Sequence, residues 1–143
     1  MRDYLFRGKR IDNGEWVKGY YIKATRHWHE HGIHEEWIAV DTIQNGGWCN
    51  VRSKYAVIPE TVGQYTGLTD KNGKKIFEGD ILDGLCGLHI VYFDDSFACF
   101  DWKNAIGKQG ESFSGFADDY EVIGNIHDNP EILKGGEEEC LNT

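Results

Sequence analysis

Three groups of residues in this 143-residue chain have types and spacings that chemistry can use. The first is His27, His29, His31 and His34, with Glu30, Glu35 and Glu36 among and after them. In an extended strand, side chains two apart share a face, so His27, His29 and His31 can converge on a cation such as zinc. No second ligand set is recognisable downstream, and the preferred reading is a polar loop whose histidines are merely close in sequence. The second group is Cys86 and His89, a thiol and an imidazole three residues apart. A working nucleophile needs its base held by a third group, and none is evident in this turn–strand setting. The third is the acids Asp70, Glu78 and Asp80. They have the oxygens for a cation, but acids in turns more often accept hydrogen bonds from nearby backbone N–H groups. Asp70, Asn72, Gly73, Glu78, Gly79 and Asp80 are therefore read as a structural turn motif. No glycine-rich phosphate loop precedes a helix, and Ser112-Phe113-Ser114-Gly115 does not complete a Gly-x-Ser-x-Gly elbow. The expectation is a protein with no catalytic set, no metal and no cofactor.

The aromatic supply is read first as core and as cover for adjacent strands, and second as contact surface. Trp16, Tyr20, Tyr21, Trp28, Trp37, Trp48, Tyr65 and Trp102 exceed what a small core needs. Aromatic residues anchor protein interfaces, and in a basic groove they stack on single-stranded bases. Trp16, Tyr20, Tyr21 and Trp28 are the candidate interface residues. The net charge is −9, but residues 1–26 hold seven Lys/Arg against three acids. Arg2, Arg7, Lys9, Arg10, Lys18 and Lys23 make the N-terminal hairpin a candidate for nucleic acid, although the overall charge opposes approach to phosphate. The acids Asp94, Asp95, Asp101, Asp118, Asp119 and Glu121 raise the inverse idea, an imitation of DNA, though they are few and scattered.

The elements that must position these groups read as short strands. The chain centres on Pro59–Leu82, where Thr61–Leu68 and Lys74–Leu82 flank a turn ending in Asn72-Gly73, a pair that tolerates positive φ. Gly63, Gly67 and Gly79 are expected at bulges or close backbone approaches. Tyr4–Arg10 and Glu15–Lys23 form a second hairpin around Asp12-Asn13-Gly14. Period-two alternation puts Trp16, Lys18, Tyr20 and Ile22 on one face and Val17, Gly19 and Tyr21 on the other. Further strands are expected at Glu36–Ile43, Trp48–Ile58, Leu88–Phe93, Phe97–Trp102, Ser112–Phe116 and Tyr120–His127. A one-turn helix near Pro59 and another opening at Pro130 are the helical exceptions. Eight to ten short strands with turn signals between them indicate an all-β fold, a small SH3-like barrel or a β-sandwich. One domain over residues 1–134 is expected, followed by an acidic tail at 135–143. No apolar run approaches the ~20 residues of a membrane helix, the first residues lack a secretory apolar core, and four widely spaced cysteines suit free thiols.

Four stretches form a pattern in chain order: Tyr4-Leu5-Phe6-Arg7-Gly8, Val62-Gly63-Gln64-Tyr65-Thr66-Gly67-Leu68 with Asp70-Lys71-Asn72-Gly73, Ile76-Phe77-Glu78-Gly79-Asp80-Ile81, and Glu121-Val122-Ile123-Gly124-Asn125-Ile126 with Asp128-Asn129-Pro130-Glu131. In these stretches the chain resembles the YopX family of phage and prophage proteins. The resemblance implies a phage or prophage gene, a mainly β fold and the bacterial cytoplasm, and it implies no activity. The resulting expectation is a non-catalytic module that associates with itself and with a host or phage protein. Nucleic-acid binding by the basic hairpin is the alternative, and no membrane role is expected.

Overall fold

The structure is a computed structural model that describes residues 4–26, 33–41, 51–84, 87–104 and 119–134. The fold is all-β, with ten described strands in antiparallel pairs. Among the described residues helix is short, as at Pro59–Thr61 and residues 130–134, and no sheet closes into a barrel. None of the helices described is long and apolar enough to cross a membrane. The expected strand at Ser112–Phe116 and the tail at 135–143 lie outside the described residues. The chain divides into two compact units, Met1–Gln64 and Tyr65–Thr143.

The first unit contains β1 (Phe6–Lys9), β2 (Trp16–Arg26), β3 (Ile33–Asp41) and β4 (Val51–Ala56), in the sheet order β4-β3-β2-β1. The β1–β2 turn is closed by the Gly14 N–H on the Arg10 carbonyl at 3.0 Å and the Arg10 N–H on the Glu15 carbonyl at 2.9 Å. The Asn13 side-chain oxygen takes the Glu15 N–H at 2.9 Å, the local bond that suits Asn to turns. The other edge of β1 is also occupied. Ile58 donates its N–H to the Lys9 carbonyl at 2.8 Å, and Lys9 donates its own to the Thr61 hydroxyl at 2.9 Å. Pro59 opens the 3-10 turn that carries Thr61, where its missing N–H costs nothing. Gly63 and Gln64, the start of β5 (Gly63–Thr69), then pair with Arg7 and Phe6.

Register assigns the two faces. Tyr21 opposes Ile38, which opposes Tyr55, and Gly19 opposes Phe6. This is the inner face, where Ile38 is fully buried and Val57 lies against Gly8. Phe6 and Tyr21 meet at 5.5 Å between ring centroids. Burial pushes the Tyr21 phenol up to about 12, assisted by its hydrogen bond to Glu36. Glycine at position 19 is dictated by a close approach: a Cβ there would sit 2.1 Å from the Ala39 carbonyl oxygen.

In the second unit, the rest of β5 pairs with β6 (Lys75–Phe77). Gly67, at φ +90°, sits within the register shift between Tyr65 and Thr69, a bulge that open space around it permits. The single strand read over Lys74–Leu82 is two. Glu78-Gly79 turns the chain, with Gly79 at φ +84°, and the Asp80 carboxylate accepts the Phe77 N–H at 2.8 Å. Both strands are apolar, so their composition hides the break that the Gly79 backbone imposes. β7 (Asp80–Gly84) then enters a separate four-stranded sheet ordered β10-β7-β8-β9, with β8 (Gly87–Asp94), β9 (Cys99–Asn104) and β10 (Glu121–Asn125). Leu82, Val91, Trp102 and Val122 share one face of it and bury against Ile76 and Tyr120. Each fully buried aliphatic side chain there contributes about 2 kcal/mol from leaving water.

Gly19→Ala places a methyl group against main chain that cannot rotate aside. The expected loss is about 2 kcal/mol or more, read as an earlier thermal transition by circular dichroism. A variant as stable as the parent would refute the close-approach assignment.

Candidate functional site

The outer face of the first sheet gathers cations and flat rings. Residues alternate with those of the inner face, so β1 presents Arg7 and Lys9, and β2 presents Trp16, Lys18, Tyr20 and Ile22. β3 adds Trp37 beside Ile22, and β4 adds Lys54 beside Ala39. The Arg7 guanidinium lies 4.8 Å from the Trp16 ring centroid, and the Lys9 ammonium 5.8 Å from the same ring. The Lys54 ammonium lies 4.4 Å from the Trp37 centroid. Arg7 is buried, whereas Lys54 is exposed; at exposed sites such a contact contributes about 0.5–1 kcal/mol and restrains where the ammonium sits. Tyr20 is 54% exposed and Ile22 40%, while Trp16 and Trp37 are half-buried. Glu35, beside Ala24, is the carboxylate on this face among the described side chains.

The sequence reading found half of this face. Alternation along one strand identifies Trp16, Lys18, Tyr20 and Ile22 together, but nothing in β2 says that Trp37 and Lys54 lie alongside. That pairing comes from register across three strands. Tyr21, a candidate interface residue, lies on the inner face with Phe6 and Glu36. Two of the basic residues are elsewhere. Arg10 stacks on Tyr55 at 4.2 Å and bonds Asp12, and Lys23 pairs with Glu36 at 3.6 Å. Arg2, Trp28, His27, His29 and His31 lie outside the described residues, and the side chain of His34 is not described. Among the described residues no three His, Cys, Asp or Glu side chains form a metal-binding group.

The turn motif of the second unit is built on Asp70, which is 4% exposed. One carboxylate oxygen accepts the Asn72 and Lys74 N–H groups at 2.8 and 2.9 Å, and the other accepts that of Val122 at 3.0 Å. Burial pushes this carboxyl up, but the bonds from Val122, Lys74 and Asn72 outweigh it and hold it below the usual aspartate range. The Lys71 N–H donates to the Tyr120 carbonyl at 3.0 Å, so the hairpin is stitched to the start of β10 on two adjacent residues. Asn72-Gly73 turns the chain above it, with Gly73 at φ +80°. Three of the acids considered as a DNA imitation have local partners, and Asp118 lies outside the described residues. Asp94 accepts the Ser96 N–H at 2.8 Å, Asp101 accepts that of Trp102 at 2.8 Å, and Glu121 pairs with Lys71 at 3.4 Å.

His89 is buried in the core of the same unit, edge-on to Tyr120 at 5.5 Å and to Trp102 at 5.9 Å. Its Nδ1–H donates to the Gly87 carbonyl at 3.0 Å, which fixes the neutral tautomer. Burial lowers its pKa, and the Gly87 bond opposes that only in part. Cys86 lies outside the described residues. Cys99 is an exposed free thiol.

A family model described as YopX protein matches residues 5–134. Among solved structures, the chain is similar to the crystal structure of protein EF1440 from Enterococcus faecalis. The two are 26% identical, the match covers 93% of this chain and 99% of that one, and the TM-score is 0.52. No curated protein matches the chain.

Asp70→Ala removes one acceptor from three backbone donors. The expected loss is on the order of 3 kcal/mol, or roughly 10 °C in melting temperature. A fall within measurement error would show that water replaces the carboxylate there. For His89 the sign follows from its depressed pKa. The unfolded chain takes up a proton near pH 6.5 and the folded chain takes it up less readily, so stability is full above that pH and falls as pH drops below it. Asp70 adds to the loss only below the ordinary carboxylate range. Melting curves between about pH 7.5 and 5 should therefore slope, and His89→Phe should flatten that slope.

Proposed function

The chain belongs to the YopX family, and we propose that it is a non-catalytic contact protein of phage or prophage origin that uses the outer face of its first sheet to hold another macromolecule. The observation that carries this reading is the arrangement of Trp16, Tyr20, Ile22 and Trp37 on one face with Arg7, Lys9, Lys18 and Lys54 set against or beside the rings. Large apolar side chains left in water cost free energy, and Tyr, Trp and Arg are the residue types that return most of it when a partner covers them. For the buried imidazole of His89, a non-catalytic role is supported by its setting. His89 is packed edge-on into aromatic rings and hydrogen-bonded to main chain. A general base needs its proton acceptor within reach of substrate, and this one is enclosed in core.

A photo-crosslinking phenylalanine analogue in place of Tyr20 tests the reading without assuming the partner. In producing cells, position 20 is expected to trap a macromolecule, and the same analogue in place of exposed Ile123 is expected to trap none. Equal trapping at both positions, or none at position 20, would count against the outer face as the contact surface.

A further inference from the structure

We propose that the macromolecule taken by the outer face is single-stranded nucleic acid, with bases stacked on Trp16, Tyr20 and Trp37 and phosphates held by Lys9, Lys18 and Lys54, while the buried Arg7 braces Trp16. The proposal rests on the contact-face reading above and narrows its partner class.

Three features separate nucleic acid from protein as the occupant. The first is charge complementarity. The described side chains of this face bring four cations and one carboxylate, Glu35, whereas the whole chain carries −9. A polyanion is matched to this face and mismatched to the rest of the chain. Charges more than about 8 Å away are largely screened at physiological salt, so the local sign governs contact. The second is the kind of cation. Three of the four are lysines, residues depleted from protein–protein interfaces, where arginine is enriched. Lysines interleaved with aromatic rings are the composition of grooves that track a phosphate backbone. The third is spacing. Trp16 and Tyr20 are four residues apart on β2, and Trp37 lies across from Ile22 on the next strand. At ~3.3 Å per residue the three rings span roughly 20 Å, room for a few stacked bases.

The same geometry favours one strand over two. Bases in a duplex are already stacked on each other and offer the sheet only their edges and the backbone. Rings lying along a strand face have use for a base only when its flat side is free. Stacking on rings carries no base-specific donor and acceptor pattern, so little sequence preference is expected among pyrimidine oligomers.

The test uses the full chain and an end-labelled dT oligomer of about 15 nucleotides, with its RNA counterpart and a duplex of equal length as separate arms, read by fluorescence anisotropy. Binding in the micromolar range is expected at about 50 mM salt. The log–log salt slope should be about −2, from three phosphate contacts at about 0.7 each, and the duplex should bind at least tenfold more weakly. Tyr20→Ser alters a side chain that is mostly in solvent, so it should fold normally and weaken binding roughly tenfold. Lys18→Gln and Lys54→Gln, both at exposed positions, should each reduce the slope by about 0.7. No binding to either single strand at low salt would overturn the proposal, as would binding that these three variants leave unchanged. Preference for duplex would also overturn it. If position 20 captures a protein in cells while the oligomers do not bind, the nucleic-acid assignment falls and the contact face stands. If neither occurs, both fall.

Discussion

The register of β2 against its two neighbours is the constraint on which the first unit depends. Side chains on a strand alternate, so a slip of one residue would exchange every position between faces. Trp16, Tyr20 and Ile22 would move to the inner face, and Tyr21 would lose Phe6 and Glu36. Two local features hold the register where it is. The Asp12-Asn13-Gly14 turn fixes β2 against β1 through the Arg10–Glu15 and Gly14–Arg10 bonds. On the other side, Ala39 brings its carbonyl over Gly19, an approach that no residue with a Cβ allows. Of the nearby β2 positions only Gly19 lacks that atom, so sliding the strand past β3 would force a clash.

The second unit solves a different problem, how to bury ionised groups. Asp70 is nearly inaccessible and keeps its charge because three main-chain N–H groups point at it. Such bonds are worth more to a charged acceptor than to a neutral one, and they offset the loss of water around the carboxylate. One of the donors belongs to Val122, itself part of the buried cluster with Leu82 and Trp102. Polar and apolar burial are therefore coupled: the carboxylate positions β10, and β10 supplies an apolar side chain to the core. His89 sits in the same core. Desolvation disfavours its protonated form, and the Gly87 carbonyl satisfies one ring nitrogen.

How legible this was in the sequence depends on whether the signal was local. The alternation along Trp16–Ile22 and the turns at Asn13-Gly14 and Asn72-Gly73 state their structure within a few residues. The break at Glu78-Gly79 is equally local but weaker. A glycine between apolar runs is compatible with a bulge or with a turn, and here the φ of +84° and the Asp80 carboxylate make it a turn between two sheets. The reach of Asp70 to Val122, 52 residues on, and the meeting of Trp37 and Lys54 with the β2 stripe are non-local. Period-two patterning says which residues share a strand face. It does not say which strand comes next to it, and half of the outer face is assembled by that missing information.

A chain with an acidic balance presents a basic surface because the two charges are separated along the sequence and then fixed by strand pairing. The hairpin of β1 and β2 contributes Arg7, Lys9 and Lys18 from the basic first residues, while β4 returns from a later segment to add Lys54 to the same face. Arg10 and Lys23, equally basic in the sequence, fall on the other side by alternation and there meet Tyr55 and Glu36. Which cations remain together is thus decided by parity along the strands and not by composition. The rings reinforce the selection: a lysine over an indole is restrained close to the sheet instead of sweeping through solvent, so part of its conformational freedom is lost before any partner arrives. A surface already ordered in this way gives up less entropy on association, and an aromatic stripe with restrained cations can bind through few contacts.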